Sequence, residues 1–206
     1  MSSRSHWESV YDSKAAEAVS WYAPHLHESL RYIGQAAGDR HAAIIDVGGG
    51  ESTLVDDLLG EGYSRITVLD ISATAIDVTK RRLGSAGAPV TWMAADILQA
   101  DLGAGVYDIW HDRAVFHFLT TPHERQRYID QVLRALKPGG HAIVGTFGPE
   151  GPEKCSGLHV ARYSAGELHG TFGEPFTLLG SSTDLHKTPW GSTQQFVYCF
   201  CRRGNS

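Results

Sequence analysis

The sequence predicts an α/β domain: a mostly parallel sheet with helices on both faces, closed by a C-terminal antiparallel hairpin. Three observations predict it. Apolar strand patterns and amphipathic helix patterns alternate from residue 41 to residue 147, the order that builds a parallel sheet through crossover helices. The first strand runs straight into the glycine loop "DVGGGES" (46–52), where open α/β sheets bind ligands. The chain then ends in two extended segments, "PFTLLGSSTDLHK" and "STQQFVYCFCRR", joined by the turn-like "TPWG", which reads as a hairpin.

Each element follows in order. Residues 14–36 carry a helical pattern interrupted by Pro24, so two short helices or one broken helix are expected. "HAAIIDV" is the first strand. In "STLVDDLLGEGY", Leu54, Leu58 and Leu59 share a helical face, closed by Gly60 and Gly62. "RITVLD" is the second strand, ending at Asp70. Ser72 stands at the N-cap of "ATAIDVTKRRL", which stops at Gly84. "PVTWMAAD" and "VYDIWHD" are the third and fourth strands. Thr121, Pro122 and Glu124 form a helix start with a cap, a first-turn proline and a glutamate three residues on. Ile129, Val132, Leu133 and Leu136 line its face until Pro138-Gly139-Gly140, and "HAIVGTF" is the fifth strand. Without repeats or linkers, residues 1–206 read as a single domain.

The bulk composition excludes several functions. Eighteen basic against 23 acidic residues leave a net charge of −5, which argues against a nucleic-acid surface. The basic clusters Lys80-Arg81-Arg82 and Arg202-Arg203 sit at a helix end and at the C-terminus, where cations are favourable or solvated. No stretch approaches the roughly 18 apolar residues of a membrane helix. "MSSRSHWESV" has no apolar core, so it does not read as a secretory signal. Three cysteines, an odd number, point to a reducing, cytoplasmic setting. Cys199 and Cys201 share one strand face and lack a second pair, so they read as small buried hydrophobes, and no metal site is expected.

Four acids are predicted at strand ends: Asp46, Asp70, Asp96 and Asp112. Asp70 lies 20 residues after Gly50, where an acid takes a ribose hydroxyl pair in nucleotide-binding sheets. Both NAD and S-adenosylmethionine carry a ribose. The dinucleotide fingerprint G-x-G-x-x-G would need glycine where Thr53 stands. Asp46 and Glu51 flank the glycines, where a pyrophosphate would rest on the helix N-terminus, and their repulsion would cost on the order of a few kcal/mol. S-adenosylmethionine has an ammonium and a sulfonium instead, which the same acids suit. An NAD-dependent oxidoreductase is therefore disfavoured.

"DVGGGES", "VLDIS", "AADIL", "YDIWHDRAVFHFL" and "LKPGG", in this order and spacing, resemble the class I S-adenosylmethionine-dependent methyltransferases over essentially the whole chain. The resemblance implies a seven-stranded Rossmann-like sheet whose terminal hairpin adds an antiparallel strand. It implies that Asp46, Gly48, Gly49 and Gly50 approach the methionine half of the cofactor. Asp70 would bind the ribose hydroxyls with Ile71 beside the adenine. Asp96 would bond the adenine amino group with Ile97 near the ring, and His111 would pass close to the methionine and ribose. Ser52, in place of the usual third glycine, is the departure from the pattern. "HWESVYDSKAAEAVSWY" also resembles small bacterial members in which a Trp-x-x-x-Tyr segment folds over the cofactor, so 1–36 is expected to be a helical lid. Trp7 and Tyr11 are four apart and share a face in a helix. Near a sulfonium such rings gain roughly 0.5–2 kcal/mol; a core-packing pair is the alternative.

Methyl transfer needs alignment and desolvation, and a strong base only for a tightly held proton. Thiols ionise near a pKa of about 8.5 and need little help. No Asn/Asp-Pro-Pro-aromatic run follows the fourth strand, and after the fifth only Glu150 could serve a catechol-type metal. The segments 107–140 and 148–168 are similar to the thiopurine and small-thiol methyltransferase branch. That similarity implies that Arg113 and the 149–160 loop border the acceptor. His117 could move a proton or orient the acceptor, or be a core histidine. Asp112 could hold a positive acceptor or cap the backbone. Arg113 could steer an anionic or thiolate acceptor or form an ion pair. Cys155 could bind a soft acceptor such as a metalloid. The expected function is methylation of a small soft nucleophile. The alternatives are methylation of a lysine on a partner protein, which the acidic N-terminal segment also resembles, and a binding module that senses the cofactor without catalysis.

Overall fold

A computed structural model describes residues 4–13 and 15–205. In chain order the strands are β1 (Ile44–Val47), β2 (Ile66–Asp70), β3 (Thr91–Ala94), β4 (Tyr107–Arg113), β5 (Leu136–Phe147), β6 (Lys154–Cys155), β7 (Leu158–His159), β8 (Phe176–Lys187) and β9 (Thr193–Arg203). The helices are α1 (Arg4–Ser13), α2 (His27–Ala36), α3 (Leu54–Gly60), α4 (Ala73–Leu83), α5 (Pro122–Ala135) and α6 (Ala165–Phe172). Seven strands form one sheet in the order β3-β2-β1-β4-β5-β9-β8. The first five are parallel; β9 runs antiparallel to both β5 and β8. This is the Rossmann-like methyltransferase arrangement, and the strand order reverses between β1 and β4. The cleft for a ligand opens at the carboxyl ends of those two strands.

Strand periodicity sorts the side chains. Ile44, Ile109 and Ile143 pack with α2 and α3, while Ile45, Trp110 and Ala142 pack with α5 and α6 on the other face. The same alternation decides which polar residues meet. Asp46 and His111 are register partners on the α2 face, whereas Asp112, one residue on, turns to the α5 face.

Local signals explain the helices. Ser72 accepts a hydrogen bond from the Ala75 amide (3.2 Å), and α4 stops at Gly84 with φ +52°. Thr121 and Glu124 close a reciprocal capping box at α5, and Ser164 and Glu167 close another at α6. The α6 helix and the small β6–β7 hairpin add to the elements expected from the sequence. The N-terminal region also differs. Instead of a helix pair over 14–36, α1 ends at Ser13, a single 3-10 turn spans Ala16–Ala18, and α2 begins only at His27. Pro24 biases Ala23 away from helical geometry. Ser29, Tyr32 and Ile33 of α2 are buried under the sheet, so the segment covering the cleft is α1 with residues 15–26.

Candidate active site

The floor of the cleft is the loop after β1. The Gly48 amide donates to the Leu69 carbonyl (2.7 Å), and Gly48 sits at φ +75°, a conformation that favours glycine. A Cβ on Gly49 would lie 2.2 Å from Asp46 Oδ2, and one on Gly50 would lie 2.6 Å from Ala75 Cβ and 2.7 Å from Asp70 Oδ2. The loop is pinned from below. Thr79 Oγ1 donates to the Gly50 carbonyl (2.5 Å), and Arg82 reaches the carbonyls of Glu51 and Ser52 (3.3 and 2.7 Å). Ser52 replaces a glycine without strain because its hydroxyl accepts from the Leu54 amide (3.2 Å) at the start of α3.

Two cavities adjoin over this floor. The larger takes in Val47, Leu69, Asp70, Ile71, Ala95, Ile97, Ala114, Val115, Leu119 and Cys155. Its cover is aromatic: Trp7 and Tyr11 from α1, with Trp21 and Phe118, pack ring against ring at centroid distances of 5.1–6.3 Å. The smaller is lined by Asp46, Gly49, Glu51, Ser52, Thr53, Tyr22 and His111 among others. Tyr11, Trp21, Gly48 and Arg113 belong to both. The cover is latched by Glu8. Its carboxylate accepts from Ser72 Oγ (2.7 Å) and from the Ala73 and Thr74 amides (2.9 and 3.2 Å) at the start of α4, and those bonds hold its pKa below the usual value against the opposing effect of partial burial.

The acids at the floor are buried. Asp70 accepts from the Gly50 amide (3.0 Å) and the Ser72 amide (2.8 Å). Burial nevertheless raises its pKa to about 6, and burial with the Asp70 charge raises Glu51 to about 7. Asp46 Oδ1 bonds His111 Nδ1 at 2.7 Å, while Asp46 Oδ2 and Glu51 Oε2 are buried with no hydrogen-bond partner. Uncompensated buried carboxylates fit a cationic ligand group, and the tight glycine floor fits its close approach. Among the described residues no group of three or more His, Cys, Asp or Glu could hold a metal ion.

Of the residues singled out by the sequence, Trp7, Tyr11, Asp46, Gly48, Gly49, Asp70, Ile71, Ile97, His111, Arg113 and Cys155 line one cavity or both. Gly50 lies beneath, shaping Asp70. Asp96 holds the Leu98 amide (2.9 Å) and Gln99 (3.3 Å), while its neighbours Ala95 and Ile97 face the cavity. Asp112 and His117 are not among the lining residues. The Asp112 carboxylate, fully buried on the α5 face, accepts from the amides of Val115 and Phe116 and from the Tyr128 hydroxyl, which in turn takes the Trp110 indole N–H (2.8 Å). His117 is buried between Phe118 and Phe147 and accepts from the Phe147 amide (3.4 Å); burial, with the Arg113 charge, pushes its pKa down to about 3. Sequence reasoning missed Trp21, Phe118 and Glu8. "SWYAP" offered a signal, an aromatic pair just before the helix-breaking proline.

Residues 44–140 match the family described as "Methyltransferase domain". The chain is 34% identical over 107 residues to malonyl-(acyl-carrier protein) O-methyltransferase of Anoxybacillus flavithermus, covering 51% of this chain and 39% of that protein. It is 23% identical over 176 residues to the eEF1A lysine and N-terminal methyltransferase of Danio rerio, covering 84% of this chain and 25% of that protein. The chain thus spans well under half the length of these two relatives. Burkholderia thailandensis 1,6-didemethyltoxoflavin-N1-methyltransferase, solved with its substrate and S-adenosylhomocysteine, shares the fold at a TM-score of 0.74 and 19% identity, over 98% of this chain and 87% of that one. No helix among the described residues is long and apolar enough to cross a membrane. Residues 44–140 thus resemble a methyltransferase domain, and the seven-stranded sheet that carries them has the Rossmann-like fold of the S-adenosylmethionine-dependent methyltransferases.

Proposed function

We propose that the protein transfers a methyl group from S-adenosylmethionine to a small molecule bearing a soft nucleophile, a thiol or a close chemical relative. One observation carries this reading: the larger cavity is walled mainly by aromatic and aliphatic side chains with Arg113 and Cys155, and its one carboxylate, Asp70, is engaged by the Gly50 and Ser72 amides. Asp112 is spent on internal hydrogen bonds, His117 lies buried outside the lining with its Nδ1 accepting from the Phe147 amide, and the Tyr11 phenol is held well above its ordinary pKa by burial and neighbouring carboxylates. A nucleophile that ionises by itself near neutral pH suits such a site.

The chain's own residues divide the work. Asp46 and Glu51 supply negative charge for the ammonium of the amino-acid end, and Asp70 supplies acceptors for the ribose. Ile71 and Ile97 give the adenine apolar surfaces. Trp7, Tyr11, Trp21 and Phe118 keep water from the reacting atoms. Arg113 favours an anionic acceptor, and Cys155 adds a soft group to the same wall. When bound, S-adenosylmethionine would supply an electrophilic methyl on a sulfonium; an aligned thiolate would take that methyl in line, its sulfur–carbon bond forming as the sulfonium–carbon bond breaks and S-adenosylhomocysteine leaves. The same Arg113 charge and the apolar walls disfavour a lysine ammonium, so protein methylation is the lesser reading.

The test is release of S-adenosylhomocysteine with hydrogen sulfide, alkyl and aryl thiols, selenols, amines and a lysine peptide. Turnover with sulfur or selenium acceptors is expected, and Arg113→Leu should lower kcat/KM for them by roughly tenfold. Turnover restricted to amines or the peptide would overturn the thiol assignment. Tight cofactor binding with no turnover on any acceptor would favour a sensing role.

A further inference from the structure

We propose that Ser29 and Tyr198 are positioning residues for the amino-acid end of the cofactor, acting through His111 to hold the Asp46 carboxylate in the smaller cavity. The proposal rests on the cofactor reading above. Four buried polar side chains from four elements form one continuous chain. His111 Nδ1 lies 2.7 Å from Asp46 Oδ1, His111 Nε2 lies 2.8 Å from Ser29 Oγ, and Ser29 Oγ lies 3.3 Å from the Tyr198 hydroxyl. None of the four is more than 2% exposed.

The order of donors is set by the carboxylate. Asp46 only accepts, so His111 Nδ1 donates to it. With the ring neutral, Nε2 accepts from the Ser29 hydroxyl, whose oxygen is then free to accept from Tyr198. In that neutral-ring arrangement every donor in the chain points toward Asp46, and a protonated ring would donate from both nitrogens, to Asp46 and to Ser29. One carboxylate oxygen is thereby fixed, and the other, Oδ2, remains without a partner in a side chain that lines the cavity. A buried polar chain of this length is costly unless it is fully satisfied, and the one atom it leaves open belongs to the binding wall.

The surrounding sequence makes room for this chain. Strand periodicity turns Asp46 and His111 to the face where α2 presents Ser29. Tyr198 stands opposite Gly145 in the β5–β9 ladder, and a Cβ on Gly145 would come 2.9 Å from the Tyr198 ring. Only glycine there admits the ring as it lies. At its far end Tyr198 is near enough to Arg113 for that charge to pull its pKa down, although burial raises it overall. Arg113 lines the same cavity. The chain therefore ties together a carboxylate and a guanidinium that face one small space, the charge pair that a zwitterionic amino-acid group requires.

The experiment compares two ligands by calorimetry on the full chain. S-adenosylhomocysteine carries the amino-acid end; 5′-methylthioadenosine has the same nucleoside and thioether without it. Ser29→Ala and Tyr198→Phe should each weaken S-adenosylhomocysteine by about fivefold, the loss of roughly one hydrogen bond, and leave 5′-methylthioadenosine unchanged. Gly145→Ala should give the same split by displacing the ring, and Asp46→Asn should set its upper limit. Melting temperatures of each variant report folding separately. Equal weakening of both ligands, or no change in either with the variants folded, would overturn the positioning role. Failure of the wild-type protein to bind S-adenosylhomocysteine would overturn the cofactor reading itself.

Discussion

The two cavities share Tyr11, Trp21, Gly48 and Arg113 as common walls and yet are chemical opposites. The smaller one gathers Asp46, Glu51 and His111 around unsatisfied carboxylate oxygens. The larger one is covered by four aromatic rings and lined mainly by aliphatic side chains, with Asp70, Arg113 and Cys155 among them. Methyl transfer explains why one site needs both. On the proposed reading, the charged end recognises the ammonium and carboxylate of the cofactor's amino-acid group, which persist while the sulfonium charge is lost on methyl transfer. On the same reading, the aromatic cover of the larger cavity keeps water from the acceptor, while Asp70, Ile71 and Ile97 in the same cavity hold the nucleoside. Asp46 and Glu51 would then serve cofactor binding and the aromatic cover the acceptor, with Arg113 shared between the two, so substitutions at Asp46 or Glu51 should affect cofactor binding more than acceptor choice.

The largest expected effect is one that breaks this division. Gly50→Ala would press a Cβ against Ala75 and the Asp70 carboxylate, disturbing the floor under the whole cleft. Overpacking of this kind costs about 1–3 kcal/mol. Affinity for S-adenosylhomocysteine and for 5′-methylthioadenosine should therefore fall together, by up to roughly 100-fold. Calorimetry with both ligands checks it, and loss of only one would show that the floor is not shared.

Glu51→Gln should sharpen the division. The folded-state pKa of Glu51, about 7, lies above the usual glutamate value of about 4.3. Between these values the folded chain holds a proton that the unfolded chain has released. That contribution is present at low pH and is lost as pH rises through 7. The ligand-free Glu51→Gln variant should therefore melt higher than wild type at pH 8 and alike at pH 4. Ligand affinity should move the opposite way. In the wild type, S-adenosylhomocysteine should bind more tightly from pH 6 to pH 8 as Glu51 ionises, and the variant should flatten that rise. 5′-Methylthioadenosine, lacking the ammonium, should show little of this change.

Much of this frame was legible in the sequence because its signals are local. The strand-to-glycine junction placed Asp46, Asp70 and Gly48 to Gly50, and the Thr121 and Ser72 caps fixed two helix starts. The terminal hairpin was legible from two extended runs around a turn. What escaped depends on which strand face a residue takes and on contacts distant in sequence. His111 and Asp112 are adjacent and both polar, but the pleat sends one to the cleft and the other to Tyr128. Ser29 and Tyr198 are 169 residues apart, and no local pattern joins them. The α6 helix carried a capping box in Ser164 to Glu167, yet Gly166 and Gly170 depress its helix propensity. Residues 15–26 gave up the expected helix, and Trp21 from this segment joins the rings over the cleft instead.

His117 should show the smallest effect on catalysis, which makes it the sharpest check on the apolar end. Its pKa of about 3 leaves it neutral across the working range, and its Nδ1 already accepts from the Phe147 amide. His117→Asn retains a side-chain acceptor for that amide while removing the imidazole. A general base contributes about 10²–10⁴-fold; here kcat/KM for a thiol acceptor should fall by less than about threefold, with the same pH profile from 6 to 9. The cost should appear in stability. A histidine kept neutral by burial loses stability as pH falls below its unfolded pKa of about 6.5, so wild-type melting should decline more steeply than the variant's between pH 6.5 and pH 4. A drop of 100-fold in kcat/KM with unchanged folding would instead make His117 a proton acceptor. The larger cavity would then supply acid–base chemistry as well as shape, and the acceptor could be a nucleophile that holds its proton far more tightly than a thiol.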